Sequence, residues 1–218
     1  MRHKTLKLFL LACVALLMLC GRDFMPIARS VWSSYKSGRE WERNVDQRDM
    51  QQVRDYCRKY GYNDRYYVEV DFSVPSGRKR FTIYDLRTGR QAYASYCMHG
   101  SGEGNTEAVP RFSNVPGSKC SSLGRYLITG HGTSKRLGRY LALRGLDRTN
   151  YNAARRGIYI HSARVVSRFR GETDYLPLGT ASEGCFTVTG NCVTRMFDLY
   201  AEGGRPIMLY AKYEANAQ

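Results

Sequence analysis

The chain has 218 residues, enough for one ordinary domain with a short extension and too few for two full domains. Hydrophobic residues make up 43% and charged residues 24% of it, which argues against wholesale disorder, a collagen-like repeat and a multi-span membrane protein. Its 34 Lys and Arg outnumber 19 Asp and Glu, for a formal net charge of +15. Polyanions are therefore natural long-range partners, but the basic residues are spread along the chain without a nucleic-acid motif. We therefore expect no nucleic-acid partner.

The N-terminal residues have the pattern of an export signal. Arg2, Lys4 and Lys7 precede an apolar run from Leu8 to Cys20. A helix over these 13 residues would rise only about 20 Å, which is short of the roughly 30 Å hydrocarbon core of a bilayer. We therefore expect export across a membrane, followed by cleavage, by lipidation at Cys20 or by retention as an uncleaved anchor.

The division of the chain follows from this pattern. We expect a signal peptide or membrane anchor over residues 1–20, a polar and irregular tether over 21–45, and one domain over 46–218. The expected location is the cell envelope, on the exported, periplasmic side, with the N-terminal segment attached to the membrane directly or through a lipid.

Residue periodicity predicts a helix first and then a series of strands. From Asp46 the apolar residues follow helical spacing as far as Tyr60, and Gly61 supplies a left-handed cap. Alternation and the enrichment of β-branched and aromatic residues then predict strands over 66–72, 80–86, 91–97, 126–129, 140–143 and 157–161. Residues 100–124 contain five glycines and two prolines, so we expect a long loop over one end of the sheet.

The C-terminal part of the chain predicts one more helix and one more strand. The helix follows Cys185 and is stopped by Gly203 and Gly204, and the strand covers residues 207–211. Because helices do not alternate regularly with strands, the pattern favours a mainly β fold with peripheral helices over a doubly wound sheet.

Cys185 and His161 are the residues best suited to covalent chemistry. His161 ends an apolar strand, while Cys185 closes a turn of small residues, 181–185, just before a predicted helix. We expect the helix start to lower the pKa of the thiol, and Gly184 to permit tight backbone geometry. The amide N–H groups of Glu183, Gly184 and Cys185 would converge on a developing oxyanion. His161 would take the thiol proton and return it to a leaving amine.

The order of the two residues narrows the class of enzyme. No histidine follows Cys185, so papain-like and NlpC-type peptidases, in which the cysteine precedes its histidine, do not fit. Histidine before cysteine suits L,D-transpeptidases, sortases and caspases, but the local caspase signature is absent. Of the other histidines, we expect His131 to be exposed in a loop.

Four stretches carry a resemblance to a known family. They are FSNVPGSKCSSLGRYLITG over 112–130, the segment ALRGLD, RRGIYIHSARVV over 155–166 and SEGC over 182–185. Together they resemble the murein L,D-transpeptidase catalytic domain of the YkuD superfamily, over roughly residues 56–211. The resemblance implies an L,D-transpeptidase-like β-sandwich with peripheral helices, whose loops form a substrate cleft.

The resemblance also implies roles for individual residues. Cys185 corresponds to the nucleophile and His161 to the general base and acid. Ser182 and Gly184 form the turn that presents the thiol, and the carbonyl of Ser162 is an orienting partner for the imidazole.

Further positions extend this resemblance or depart from it. His99, in a Met-His-Gly segment, matches a histidine found near the cleft in these enzymes. Glu183 replaces the histidine of the common Ser-His-Gly-Cys motif, and Thr187 stands where an arginine is common. The separation of the two catalytic positions, 185 − 161 = 24 residues, exceeds the usual spacing and implies an inserted loop around 167–178.

By this resemblance the chain would be a cysteine-dependent L,D-transpeptidase acting on the tetrapeptide stems of peptidoglycan, crosslinking or remodelling the wall. Cys185 would attack the carbonyl of the third stem residue, D-Ala would leave, and an acceptor amine would resolve the thioester. Resolution by water would make the same site an L,D-carboxypeptidase. Two alternatives stay open: a sortase-like protein transpeptidase with Arg195 stabilising the oxyanion, and a non-catalytic wall-binding lipoprotein.

The remaining cysteines give expectations about metals and disulfides. The paired short spacings of zinc ligands are absent among Cys97, His99, Cys185 and Cys192, so we expect neither a metal nor a cofactor. Thiols outside the cytoplasm tend to oxidise. We therefore expect two disulfides, in one of three connectivities, among Cys57, Cys97, Cys120 and Cys192.

Overall fold

The computed structural model describes residues 47–179 and 181–214, which belong to one compact unit. The signal or anchor expected over 1–20, its lipidation site at Cys20 and the tether expected over 21–45 lie outside the described residues. Within the described ranges, no helix is long and apolar enough to cross a membrane.

Three helices occur in the described ranges: α1 over Gln47–Lys59, α2 over Arg164–Arg168 and α3 over Gly190–Gly203. Gly61 follows α1 with a φ of +69°, the left-handed conformation that its predicted capping role requires. Thr189 caps the start of α3 by accepting a hydrogen bond from the N–H of Cys192, and Gly204 ends the helix in a left-handed conformation. The helix boundaries therefore follow from local capping chemistry.

The strands form one sheet. In chain order they are β1 Tyr66–Asp71, β2 Phe81–Asp85, β3 Arg90–Ser95, β4 Cys97–Met98, β5 Gly124–Ser134, β6 Gly138–Gly145, β7 Tyr159–Ser162, β8 Phe186–Val188 and β9 Ile207–Lys212. In space the order is β3-β2-β1-β9-β5-β6-β7-β8-β4. Two pairs are parallel, β1 with β9 and β7 with β8, and the other ladders are antiparallel.

The two edges of the sheet meet. The edge strands are β3 and β4, and in the chain only Tyr96 separates them. A hydrogen bond of 3.1 Å joins the hydroxyl of Ser95, at the end of β3, to that of Thr189, just after β8. The sheet is therefore nearly closed, which leaves few unpaired edge groups.

The sheet encloses a core of aromatic and aliphatic side chains. Phe186 of β8 stacks on Phe72, with ring centroids 5.9 Å apart, and meets Tyr126 of β5 edge-on at 5.4 Å. Ile160 of β7 and Val188 of β8 are also fully buried. Burial of each such side chain contributes about 1.5–3 kcal/mol, so the core holds β7 and β8 in one register.

The prediction of a mainly β fold with peripheral helices is confirmed. The predicted strand over 91–97 is divided at Tyr96 into β3 and β4. Neither β8 nor α2 was predicted from the sequence, because β8 has three residues, all buried, and α2 has only five. His131 is exposed as expected, but it lies in β5 and not in a loop.

The expectation of two disulfides is wrong in this structure. Cys57, Cys97, Cys120, Cys185 and Cys192 are all buried free thiols. Cys57, Cys97 and Cys192 are fully buried, the last two within the hydrophobic core. Burial raises the pKa of Cys57, with a smaller effect of Asp64, and that of Cys97 to about 12. They therefore pack as small apolar side chains.

We expect Cys57, Cys97 and Cys192 to resist iodoacetamide at pH 8 in the folded chain and to react once guanidinium chloride unfolds it. Their burial blocks the reagent and disfavours the reactive thiolate. Peptide mapping by mass spectrometry measures modification at each cysteine separately. Disulfide-linked peptides from these residues in a non-reducing digest would contradict the expectation.

Candidate active site

The parallel pair β7 and β8 brings the two candidate catalytic residues into neighbouring positions, His161 within β7 and Cys185 directly before β8. Ile160 lies opposite Phe186, and His161 lies opposite Thr187. Because side chains alternate along strands, Thr187 shares the face of His161, and Cys185 directly precedes β8, with its Sγ accepting a hydrogen bond from the N–H of Tyr159 on β7. Cys185 and His161 therefore lie on neighbouring segments of the chain, two residues apart in the register that β7 and β8 set.

The turn before Cys185 is held by hydrogen bonds to its carbonyl groups. Ser182 Oγ donates to the carbonyl of Cys185 at 2.8 Å, and Ser121 Oγ donates to that of Gly184 at 3.2 Å. Among the described residues, the amide N–H groups of Glu183, Gly184 and Cys185 donate to no protein acceptor. The turn therefore fixes its carbonyls and leaves three donors available.

Gly184 occupies a position that a side chain does not fit. Its φ of +108° is strained for any other residue, and a Cβ there would lie 2.6 Å from the carbonyl oxygen of Cys120. This close approach brings the 100–124 loop against the turn that carries Cys185.

The Cys185 thiol is enclosed but not bonded in a disulfide. The side chain belongs to a residue only 7% exposed, Sγ accepts a hydrogen bond from the N–H of Tyr159 at 3.4 Å, and the thiol donates to the carbonyl of Gly157 at 3.6 Å. Burial raises the pKa of Cys185, and the Tyr159 N–H and the charges of Arg136 and Arg156 oppose that rise. The thiol is therefore protonated at neutral pH.

The expectation that a helix start lowers the pKa of this thiol is wrong. Helix α3 begins at Gly190, and β8 lies between it and Cys185. The helix dipole acts within about one turn, so burial dominates at the sulfur.

His161 is held in a defined tautomer. Its Nδ1–H donates to the carbonyl of Ser162 at 3.2 Å, the contact that the resemblance implied for Ser162. Nε2 is therefore unprotonated in the neutral ring and lies 3.3 Å from Thr187 Oγ1. Burial lowers the pKa of His161, the Arg136 charge lowers it further, and the Ser162 carbonyl opposes both. The ring is thus a neutral base at pH 7.

Cys185 and His161 do not form a hydrogen bond with each other in the described part of the chain. Both partners are occupied by neighbours, the thiol by Gly157 and the ring by Thr187. Catalytic contacts in ligand-free enzymes often close only when substrate binds, so this separation is compatible with a working pair.

Thr187 is a candidate that sequence reasoning noted only as a departure. Its hydroxyl lies 3.3 Å from His161 Nε2 and 3.4 Å from the carbonyl of Ala181. When His161 is neutral, Thr187 can donate to Nε2. When His161 is protonated, Nε2–H can donate to Thr187 Oγ1 while the hydroxyl donates to Ala181, so Thr187 accommodates both states of the ring.

Arg156 is a second residue that sequence reasoning missed. Its guanidinium donates to the carbonyls of Cys120 at 2.5 Å and Ser113 at 2.7 Å. It braces the 100–124 loop from the side of Cys185. Arg156 lies in the stretch 155–166 that carries the resemblance, but only the three-dimensional contacts reveal its role.

His99 lies beside the site but is not open to it. It is only 1% exposed; Arg80 donates to its Nδ1 at 2.9 Å, and its Nε2–H donates to the carbonyl of Thr106 at 2.9 Å. Burial and the Arg80 charge lower the pKa of His99 to about 4. The next residue, Gly100, donates to Ser121 Oγ, the hydroxyl that holds Gly184. His99 is therefore a buried neutral ring that joins Arg80 to the 100–124 loop at Thr106.

The segment between α2 and β8 contacts the turn between β1 and β2. The loop expected around 167–178 has no helix or strand after Arg168. Gly77 N–H donates to the carbonyl of Asp174 at 2.7 Å, and Leu176 N–H donates to Ser76 Oγ at 2.8 Å. The loop is thus fastened to the turn between β1 and β2.

Metal chemistry has no visible donor set in the described ranges. No group of three or more His, Cys, Asp or Glu side chains there is placed to hold an ion.

The sequence profile of the family YkuD_2, an L,D-transpeptidase catalytic domain, matches residues 40–210. This match covers more than half of the chain, and its extent includes His161, Cys185 and the strands between and around them. The chain therefore belongs to this family of L,D-transpeptidase catalytic domains.

Two solved structures are similar to the chain. An L,D-transpeptidase from Xylanimonas cellulosilytica has 15% identity and a TM-score of 0.38, over 67% of this chain and 60% of that one. The helical cell shape determining protein Pgp2 from Campylobacter jejuni has 13% identity and a TM-score of 0.44, over 71% of this chain and 50% of that one. The chain thus spans only 50–60% of the length of these proteins. A comparison with curated proteins gives no match.

We expect Gly184→Ala to lower the thermal unfolding midpoint by about 5–10 °C, because it combines a left-handed φ with a backbone clash. Gly130→Ala is the matched control, since its added methyl group meets nothing within 4 Å. Differential scanning calorimetry of both variants makes the comparison. Equal midpoints for the two variants would contradict the close packing at Gly184.

We expect Thr187→Val to lower the pKa of His161 below its already lowered value, because the imidazolium loses the acceptor at Nε2. Thr187→Ser keeps a hydroxyl and retains the wild-type pKa. NMR titration of the His161 ring protons measures both without any assay of activity. An unchanged pKa in Thr187→Val would show that the hydroxyl does not support the charged ring.

Proposed function

We propose that this protein is a cysteine-dependent L,D-transpeptidase that acts on the tetrapeptide stems of peptidoglycan. The observation that carries the proposal is a reduced Cys185 directly before β8 and a neutral His161 on the adjacent strand β7, beside a turn with unused amide donors. Family membership supports the reaction class.

The first half of the proposed reaction forms a thioester. Because burial keeps Cys185 protonated, His161 Nε2 takes the thiol proton as Sγ attacks the carbonyl of the third stem residue. The oxyanion receives hydrogen bonds from the free N–H groups of the turn, which Gly184 and Cys185 supply. The carbonyl of Ser162 and the hydroxyl of Thr187 accept from the imidazolium.

The second half transfers the acyl group. Collapse of the tetrahedral adduct breaks the C–N bond to D-Ala, whose amine takes the proton from His161. A thioester on Cys185 is left, and an acceptor amine then attacks it with His161 again as base, releasing the thiol. Attack by water at the same step gives L,D-carboxypeptidase activity and is the second outcome of the same chemistry.

The proposed location is the cell envelope, because peptidoglycan stems occur there. The N-terminal segment, with its basic and apolar pattern, would bring the domain to the outer side of the membrane and attach it there. A lipid on Cys20 and an uncleaved anchor are both consistent with this placement.

The sortase-like alternative has less support. It requires Arg195 near the nucleophile, but Arg195 is exposed on α3. The guanidiniums whose charges act on Cys185 belong to Arg136 and Arg156. The alternative of a non-catalytic wall-binding lipoprotein does not explain why amide donors beside the Cys185 thiol are left without acceptors.

We expect the full-length chain to gain the mass of a tetrapeptide muropeptide minus D-Ala, with the adduct mapped to Cys185. Cys185→Ala abolishes the adduct, and His161→Gln slows its formation by about 10²–10⁴-fold. Cys120→Ala is the matched cysteine control and keeps the adduct. Intact-mass and peptide-level spectrometry measure both site and rate.

Absence of an adduct under reducing conditions, with a folded protein by circular dichroism, would refute the proposed enzyme. An adduct that forms in Cys185→Ala would refute the nucleophile. To distinguish transpeptidase from carboxypeptidase activity, a second stem is added as acceptor and the masses of the products are measured.

A further inference from the structure

Glu183, two residues before the nucleophile, lies between two cations from separate loops. Its carboxylate accepts a hydrogen bond from Arg136 Nη2 at 2.6 Å and lies 3.2 Å from Lys119 Nζ. Arg136 belongs to the turn between β5 and β6, and Lys119 belongs to the 100–124 loop. Three parts of the chain therefore meet at this ion cluster, beside Cys185.

Arg136 and Lys119 have hydrogen-bond donors that Glu183 does not use. The side chain of Arg136 is 76% exposed and that of Lys119 is 57% exposed. A guanidinium has five N–H donors and an ammonium three, and in the described ranges Glu183 is the partner of both side chains. Two positive charges against one negative charge leave the cluster at +1, so it can accept a further carboxylate.

Lys119 is held in an unusual backbone conformation. It is the non-glycine residue with positive φ, at 55°, among the described residues. Its carbonyl accepts from the N–H of Gly102 at 3.1 Å, which fixes that conformation. The loop thus presents the ammonium toward Glu183 at a backbone cost, a pattern that favours a functional position.

Arg136 is also the exposed cation that acts on the catalytic residues. Its charge acts on both Cys185 and His161, lowering the pKa of each. Arg156 also acts on Cys185, but its donors are used to brace loop carbonyls. Of the two guanidiniums at the nucleophile, Arg136 is therefore the one available to a ligand.

We propose that Arg136, assisted by Lys119, binds the free C-terminal carboxylate of the donor peptide, on the leaving-group side of Cys185. This inference rests on the proposed function. Glu183 keeps both cations in position, and the N–H donors that it does not use bind the substrate carboxylate. A bidentate guanidinium contact suits a carboxylate, which Lys119 contacts as a point charge.

The subsite would select the length of the donor. In a tetrapeptide the carboxylate belongs to the residue directly after the scissile bond. One additional residue moves it by up to about 3.6 Å, out of register with a cation fixed near Cys185. The same site would therefore reject donors in which that carboxylate is amidated or displaced.

The test compares two donors, a tetrapeptide with a free C-terminal carboxylate and the same peptide as its C-terminal amide. We expect wild-type protein to be acylated by the acid at least tenfold more efficiently, in kcat/KM, than by the amide. Arg136→Ala should lose this preference, because only acylation by the acid becomes slower. Arg136→Lys should keep part of the preference. Lys135→Ala, in the same turn and without a contact to Glu183, is the matched charge control and should behave as wild type.

If Arg136→Ala slows acylation by the acid and by the amide equally, the proposed subsite is overturned and Arg136 has a structural role. Binding of both peptides to full-length Cys185→Ala, by calorimetry, separates the subsite from the chemistry. If Cys185→Ala binds the acid more tightly than the amide, and the double variant Cys185→Ala with Arg136→Ala does not, the subsite is supported even where the wild type fails to acylate. No preference for the acid in Cys185→Ala overturns it whatever the acylation result.

Discussion

The candidate site depends on the register of one parallel strand pair, β7 with β8. Phe186 and Ile160 face each other in this pair and are fully buried, so the core fixes which residues point the opposite way. A slip by one residue would turn Phe186 out of the core and His161 or Cys185 into it. A slip by two residues would keep the faces but move the thiol by about 6.6 Å along the strand. Hydrophobic packing of β7 against β8 thus sets how far His161 lies from the turn that carries Cys185.

Burial acts on the two reactive groups in a coordinated way. It raises the pKa of Cys185 and lowers that of His161, so both shifts favour the neutral thiol and the neutral imidazole over an ion pair. In the proposed mechanism, charge therefore develops only during the reaction. The groups that would receive it are already in place: the N–H of Tyr159 at the sulfur, and the acceptors of Ser162 and Thr187 at the ring. Such preorganised dipoles stabilise developing charge most effectively in a water-poor site.

Local patterns predicted much of the fold, and long-range contacts account for what they missed. Periodicity and glycine caps gave α1, α3 and most strands, because these elements are long enough to show a period. The short strand β8 shows none, and the helix that was expected to act on Cys185 begins beyond it. Gly184 was recognised as a flexible turn residue, but its contact with the Cys120 carbonyl links positions far apart in sequence. The roles of Thr187 and Arg156 depend on such contacts and have no local signal.

The exposed cation Arg136 is electrostatically coupled to the neutral pair Cys185 and His161. Arg136 lowers the pKa of both Cys185 and His161, since a cation disfavours an imidazolium and favours a thiolate. A substrate carboxylate on Arg136 would offset that charge and raise both pKa values together. Proton transfer from thiol to imidazole depends on the difference between the two values, so changes in the same direction offset each other. A carboxylate subsite at Arg136 can thus bind an anionic peptide close to the nucleophile without opposing the proton transfer that the proposed reaction requires.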